Sequence, residues 1–277
     1  YDYEKNIQGV DSHLDVMRDK RTTRFIDAIS QKISPRVLEI GVGQGRFIKK
    51  IIYYRPDAKI YGIDISKNAI KNLKKTGIQG KFFVSDVDKT PFPPEYFDIV
   101  VIADVLEHLP SPTKAIEEIN RILKPGGLFH FYVPCEREPY TLDWFFHKIN
   151  FIPRFTNQHF GHIQYFSHQD IDNLVEGNFI SLGKSYSDHL LTQVIHFFIL
   201  YLPKMIIDIF GEKAKLQVRD ANNQKSSGGL LTQLKKIWVV GISYPASLIC
   251  ELESLLLKNV SCAAKGLHVT LQRKNSF

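Results

Sequence analysis

The sequence is poor in cysteine: Cys135, Cys250 and Cys262 are the only three among 277 residues. Their number is odd and no CxxC pair occurs, so neither a disulfide framework nor a cysteine-based zinc site is expected, and a reducing compartment fits. Long apolar runs are lacking too. A bilayer-spanning helix needs about 20 apolar residues, but His196, Pro203, Lys204 and Asp208 interrupt the best stretch, and the next, IWVVGISYPASLIC, is too short and carries Gly241 and Pro245. YDYEKNIQGVDSH has no apolar core of the signal-peptide kind, so a cytoplasmic location is expected. No methionine opens the sequence, which is therefore expected to be trimmed at its start. Internal repeats are absent as well. Charge is not in great excess, with a formal net of +7 and 23% charged residues against 44% hydrophobic ones. That balance excludes a disordered chain and describes a packed globular one. It leaves anionic partners open, but the lysines are dispersed and no zinc-finger, helix-turn-helix or RNP-like signature appears, so nucleic acid is not expected.

What is present is an alternation of short strands and helices. Leu14, Met17, Phe25, Ile26 and Ile29 predict helix within an N-terminal segment, 1–34, ended by Ser34-Pro35. A β-branched strand is expected over 36–40 and helical spacing over 45–54, through Phe47, Ile48, Ile51 and Ile52. Further strands are expected over 59–65, 81–85, 97–103 and 128–133. Ser66 stands where the N-cap of a helix to Thr76 belongs, and an amphipathic helix over 113–123 is stopped by Lys124-Pro125-Gly126-Gly127. This rhythm means βαβ units and an α/β fold, a parallel sheet covered on both faces. Ser167 caps a short helix through Val175, ahead of a strand over 179–186 and a last strand over 267–273. About 80 residues, 187–266, lie between those two strands, far beyond the usual connection of about 4 to 6.

The first strand runs into three glycines at every second position, in VLEIGVGQGRF. Parallel sheets bind ligands beyond the carboxyl ends of their strands, and glycine there lets a ligand approach the backbone. A dinucleotide fingerprint needs GxGxxG, but the spacing is GxGxG and Arg46 occupies the third-glycine position; the lysine of a P-loop is missing as well. Glu39 adds negative charge, awkward for a pyrophosphate and useful for a cationic ligand. Asp64, 19 residues beyond Gly45, can accept from two ribose hydroxyls, and Asp86, at the end of the third strand, from an adenine amine. The turn asks for adenosine, tolerates positive charge and offers no phosphate cradle; S-adenosylmethionine meets all three conditions.

VLEIGVGQG, YGIDIS, SDVDKTPFPPEYFDIVVIADVLEHL and EEINRILKPGGLFHFYVP together resemble the successive motifs of class I S-adenosylmethionine-dependent methyltransferases, most closely the branch with the ubiquinone and menaquinone biosynthesis enzymes. The resemblance covers about residues 35 to 135, with a weaker echo in GHIQYFSHQDIDNLVEGNF. It implies a Rossmann-like, seven-stranded, mostly parallel sheet with an antiparallel last strand and a methyltransferase domain over 35–186 and 267–277; residues 187–266, expected to be a helical insertion, depart from the minimal family pattern. It also implies that Gly41, Gly43 and Gly45 pass under the methionine part and Glu39 lies near its amino group. Asp64 would hold the ribose with Ile65 against the adenine, Asp86 and Val87 would border the adenine edge, and Ala103 with Asp104 would line the floor near the sulfonium.

The cofactor brings an activated methyl, so the protein mainly aligns donor and acceptor. A base is needed where the acceptor must lose a proton. His108, in EHL after the fourth strand, is the first candidate, with packing against the next segment as the other reading. His162 in QHFGHIQYFS is the second, and the resemblance places His162 and Tyr165 at the substrate wall. His159 and His162 stand in HxxH spacing, but with no cysteine or carboxylate arranged to complete a site no metal is expected. The expected activity is transfer of a methyl to oxygen, with nitrogen and carbon behind it, of a small, lipid-like or glycan acceptor. A catalytically idle scaffold and, less so, a nicotinamide oxidoreductase remain as alternatives. In the insertion, Lys204, Lys213, Lys215, Lys235 and Lys236 flank apolar stretches around a polar loop, 221–229. It reads as a cap, a dimer interface or a peripheral contact with a membrane surface.

Overall fold

The computed structural model describes residues 33–149, 161–202 and 244–275. The expected helix near the N-terminus, the flanking lysines of the insertion, its polar loop and His159 lie outside these residues.

Seven strands form one sheet in the order β3-β2-β1-β4-β5-β7-β6. They are β1 Arg36–Ile40, β2 Lys59–Asp64, β3 Lys81–Val84, β4 Phe97–Ala103, β5 Leu123–Pro134, β6 Phe179–Ser187 and β7 Gly266–Arg273. The pairs among β1 to β5 are all parallel, whereas β7 runs antiparallel to both neighbours, with Pro134 opposite Gly266 and Ser187 opposite Gly266. The helices are α1 Arg46–Tyr54, α2 Lys67–Lys75, α3 Pro112–Ile122, α4 Leu142–Lys148, α5 His168–Val175, α6 Leu190–His196 and α7 Tyr244–Leu256, with a 3-10 turn at Leu106–His108 and a π turn at Phe197–Tyr201. α6, the π turn and α7 lie in the described parts of the insertion.

Local chemistry places the helix starts. The Ser66 side chain accepts from the Ala69 N–H at 3.0 Å, α3 opens on Pro112, and Ser167 with Asp170 forms a reciprocal capping box. Lys124-Pro125-Gly126-Gly127 does end α3, but the chain pairs with β4 at once: Leu123 lies opposite Phe97, and the register then shifts so that Leu128 meets Ile99. β5 thus begins five residues earlier than the apolar run suggests, the Pro-Gly stretch being taken up in the irregular register.

Alternation along the strands sorts the core into two layers. Leu38, Ile40, Val100, Ile102, Phe129 and Phe131 join Ala115, Ile116 and Ile119 of α3 and Ile171 and Val175 of α5 on one face. Val37, Ile60, Ile99 and Val101 join Phe47, Ile48 and Ile51 of α1 and Ile70 and Leu73 of α2 on the other. Helices therefore cover both faces, as a parallel sheet requires. The carboxyl ends of β1, β2 and β4 are left side by side at the point where strand order reverses.

Candidate active site

At that edge the three glycines all have left-handed φ: +73° at Gly41, +47° at Gly43 and +76° at Gly45. Their neighbours differ. A Cβ on Gly41 would come within 2.4 Å of Val105 Cγ2, and one on Gly45 within 2.5 Å of Leu73 Cδ1. Those two glycines let the turn pack against the loop after β4 and against α2. A Cβ on Gly43 meets nothing nearer than the Gly41 carbonyl at 4.0 Å, so this glycine presents bare backbone to open space.

Asp64, at the end of β2, is buried and joins the turn to the next helix. One carboxylate oxygen accepts from the Gly43 N–H at 2.8 Å, and the other from the Ser66 N–H at 2.8 Å. The β2 end is stitched to the turn as well, since the Ile63 carbonyl accepts from both the Gly41 and Val42 N–H groups. Next to Asp64, Ile65 turns an apolar side chain outward, 65% exposed. An acidic group and an exposed apolar face, side by side against a bare glycine turn, suit a ribose and an adenine. On these observations the residues present fit an aminoacyl-adenosine.

Other expected residues are placed differently from one another. Glu39 is buried, and its carboxylate accepts from the Ile48 N–H at 3.1 Å in the first turn of α1. It thereby does the work of an N-cap that Gly45, with no side chain, cannot do. Asp86 is exposed and accepts from the Asp88 N–H, whereas the Val87 side chain is buried in the core. A contact from Val87 to a ligand would therefore be by backbone. Ala103 and Asp104 are half-buried at the end of β4, and Asp104 has a φ of +53° with its N–H donated to the Tyr132 carbonyl.

His108 and His162 come together, with ring centroids 5.1 Å apart in a T-shaped pair. The Glu107 carbonyl accepts from the N–H groups of Ile163 and Gln164 at 2.9 and 3.0 Å, which pins the 161–164 segment to the turn that carries His108. His108 Nδ1 lies 3.0 Å from the Gly161 carbonyl, and His162 Nδ1 2.9 Å from Glu136 Oε1. Burial holds the His108 pKa below the usual histidine value. Tyr165 is half-buried and donates its hydroxyl to the His162 carbonyl at 3.1 Å.

The sequence reading missed the carboxylates around these histidines. Glu107 is 1% exposed, and its Oε1 lies 3.9 Å from His108 Nε2. Glu107, His108 and His162 form a group able to hold a metal ion. The sequence reading looked to the HxxH pair of His159 and His162, whereas the acid beside His108 is the residue just before it. Glu136 and Asp143 are buried, with Lys265 Nζ 2.5 Å from Asp143 Oδ2 and 3.9 Å from Glu136 Oε1. Burial raises the Asp143 pKa; it would raise that of Glu136 too, but the His162 hydrogen bond and the Lys265 charge bring Glu136 down instead.

Residues 38–131 match the family model of the methyltransferase domain. An uncharacterised protein of Methanocaldococcus jannaschii is 44% identical over 103 residues, 37% of this chain and 46% of that protein. The ubiquinone/menaquinone biosynthesis C-methyltransferase of Burkholderia cenocepacia is 28% identical over 132 residues, 43% of this chain and 54% of that protein. The matches thus span about half the length of these relatives. The crystal structure of the YcgJ protein of Bacillus subtilis has a TM-score of 0.56 at 15% identity, covering 92% of this chain and 99% of that one, a likeness of fold. No helix among the described residues is long and apolar enough to cross a membrane. The family model lies over β1 to β5, and its residues include the glycine turn and Asp64 at the sheet's switch point, so this part of the chain is similar to a methyltransferase domain.

Proposed function

We propose that this chain transfers a methyl group from S-adenosylmethionine to an oxygen atom of a small, lipid-like or glycan acceptor. The observation that carries the reading is the open face of Gly43 set against the Asp64 carboxylate. In this reading the turn of Gly41, Gly43 and Gly45 supports the methionine part, Asp64 the ribose and Ile65 the adenine. Asp86 and the Val87 backbone border the adenine edge, while Ala103 and Asp104 form the floor beyond the sulfur. Glu39 acts from behind, by fixing the start of α1. When bound, the cofactor supplies a methyl whose bond to sulfur breaks as the bond to the acceptor forms, leaving a neutral thioether.

Oxygen is preferred over carbon because of the histidine pair. A hydroxyl must lose a proton as it is methylated, and an imidazole can take it. The name of the Burkholderia relative makes carbon the rival atom. Calorimetric titration with S-adenosylhomocysteine and with NADH tests the cofactor: the expected result is binding of the first alone, and binding of NADH alone would defeat the reading. Incubation of cell extract with methyl-labelled S-adenosylmethionine then tests the atom, since O-methyl and C-methyl carbons differ widely in chemical shift. Cofactor binding without any methylated product would favour an idle scaffold.

The insertion supports a second proposal, that it forms a contact surface for another chain or for a membrane. In α7, Ile249, Leu252, Leu255 and Leu256 are 48%, 57%, 63% and 71% exposed. Light scattering would read a dimer and flotation with anionic vesicles a membrane contact; a monomer that does not float would remove both.

A further inference from the structure

Glu107, His108 and His162 each offer one ligand-type atom, and these atoms lie within 4.8 Å of one another. We propose that the three side chains bind one divalent transition-metal ion just beyond the end of β4. Two imidazoles and one carboxylate are a donor set that suits zinc or non-haem iron and leaves coordination positions open.

The hydrogen bonds around the rings make them ligands. A carbonyl can only accept, so the contact of His108 Nδ1 with the Gly161 carbonyl is an N–H donation, and in the neutral ring the lone pair is on Nε2. The Glu136 carboxylate has the same effect on His162: Nδ1 donates, and Nε2 carries the lone pair. A carboxylate behind a histidine is a recurring support of metal sites, because it fixes the ring and strengthens the ligand. Here that carboxylate is itself held by Lys265. His108 Nε2 is also the nitrogen that lies 3.9 Å from Glu107 Oε1.

The spacing suits an ion after small movements. Metal bonds of about 2.1 Å place two ligand atoms no more than about 4.2 Å apart. The three atoms would therefore close by less than an ångström, within the reach of side-chain rotation. The backbone need not move, since the Glu107 carbonyl already ties both segments together.

This inference deepens the methyl-transfer reading and rests on it for what the ion would do. An acceptor hydroxyl on an open position would become more acidic, as water does when a bound metal ion lowers its pKa to about 7. The proton would leave to solvent and the oxygen lone pair would attack the methyl, so the ion would replace the imidazoles as the activating group.

The test is titration of the chelator-treated full chain with Co2+, followed by its visible absorption, and with Zn2+ in competition. One Co2+ per chain is expected, with at least 100-fold weaker binding in His108→Asn, His162→Asn and Glu107→Gln. Melting temperature and affinity for S-adenosylhomocysteine, measured on the same samples, should stay near those of the unaltered chain. Glu107→Gln alters a core position, so the two histidine variants decide if it does not fold. No saturable Co2+ binding in the micromolar range, or binding that the folded variants retain, would overturn the inference. S-adenosylhomocysteine binding without metal binding removes the ion alone, whereas metal binding without S-adenosylhomocysteine binding removes the methyl-transfer reading alone.

Discussion

Gly43 and Gly45 stand two residues apart with φ in the same left-handed region, yet alanine at each should fail differently. Alanine at Gly45 adds a collision with Leu73 to the backbone strain, and the expected loss is about 2–4 kcal/mol of stability, read by denaturant unfolding. Alanine at Gly43 has room, so it should cost only the strain, about 1 kcal/mol. Its methyl would lie where the cofactor approaches, however, and affinity for S-adenosylhomocysteine should fall at least tenfold by calorimetry. Equal affinity in Gly43→Ala would place the ligand elsewhere. Asp64→Ala should lose affinity too. The sequence made all three glycines visible but could not divide them between packing and ligand, because that division depends on Val105 and Leu73, 64 and 28 residues away. Glu39 was placed near the ligand for its charge. What could not be read is that a glycine at the N-cap leaves the Ile48 N–H in need of this carboxylate.

At the scale of elements, β1 and β4 begin and end where apolar patterning sets them, because strands buried on both faces have few other readings. β5 does not, since its early pairing with β4 is a tertiary event. α3 gives a clear case of an element held by one buried acid. Glu118 Oε1 accepts from the Thr90 N–H at 2.8 Å and the Thr90 hydroxyl at 2.6 Å, and both carboxylate oxygens accept from Arg121, each at 2.7 Å. Burial alone would raise the Glu118 pKa, but Arg121 and Thr90 outweigh it and hold the group below its ordinary value. A depressed folded-state pKa contributes stability at pH above the unfolded value, about 4.3, and loses it as pH falls through the lower folded value. Glu118→Ala should therefore cost about 2–4 kcal/mol at neutral pH, from the lost charged hydrogen bonds and the Thr90 N–H left behind. Urea unfolding at pH 7 and at pH 3 should show the variant and the parent drawing closer in acid. A deficit that is constant with pH would refute the assignment.

Across the whole molecule, the polar group behind His162 is assembled from segments far apart in the chain. Glu136 follows β5, Asp143 opens α4, and Lys265 precedes β7 after the insertion has gone out and come back. The antiparallel pairing of β5 with β7 brings them together, through Pro134 opposite Gly266 and the Cys135 N–H donated to the Lys265 carbonyl at 2.6 Å. No spacing in the sequence signals this, since it follows only from the register of the last strand. Lys265→Met would leave Asp143 and Glu136 buried beside each other with their nearest cation gone, and removing one partner of a buried ion pair costs about 3–5 kcal/mol. Without the ammonium the Asp143 carboxyl, already above its ordinary value, rises further, and Glu136 loses one of the groups that hold it down, so the folded variant binds protons more tightly than its parent. Its deficit should then widen as pH rises from 5 to 8 and shrink on acidification, whereas a simple packing defect stays constant with pH. Urea unfolding of the variant and its parent at those two pH values reads the difference. Asp143→Leu added to Lys265→Met should recover part of the loss, because it removes an uncompensated charge and not a contact. If the two deficits merely add, the lysine stabilises this corner by packing and the carboxylates are neutral there.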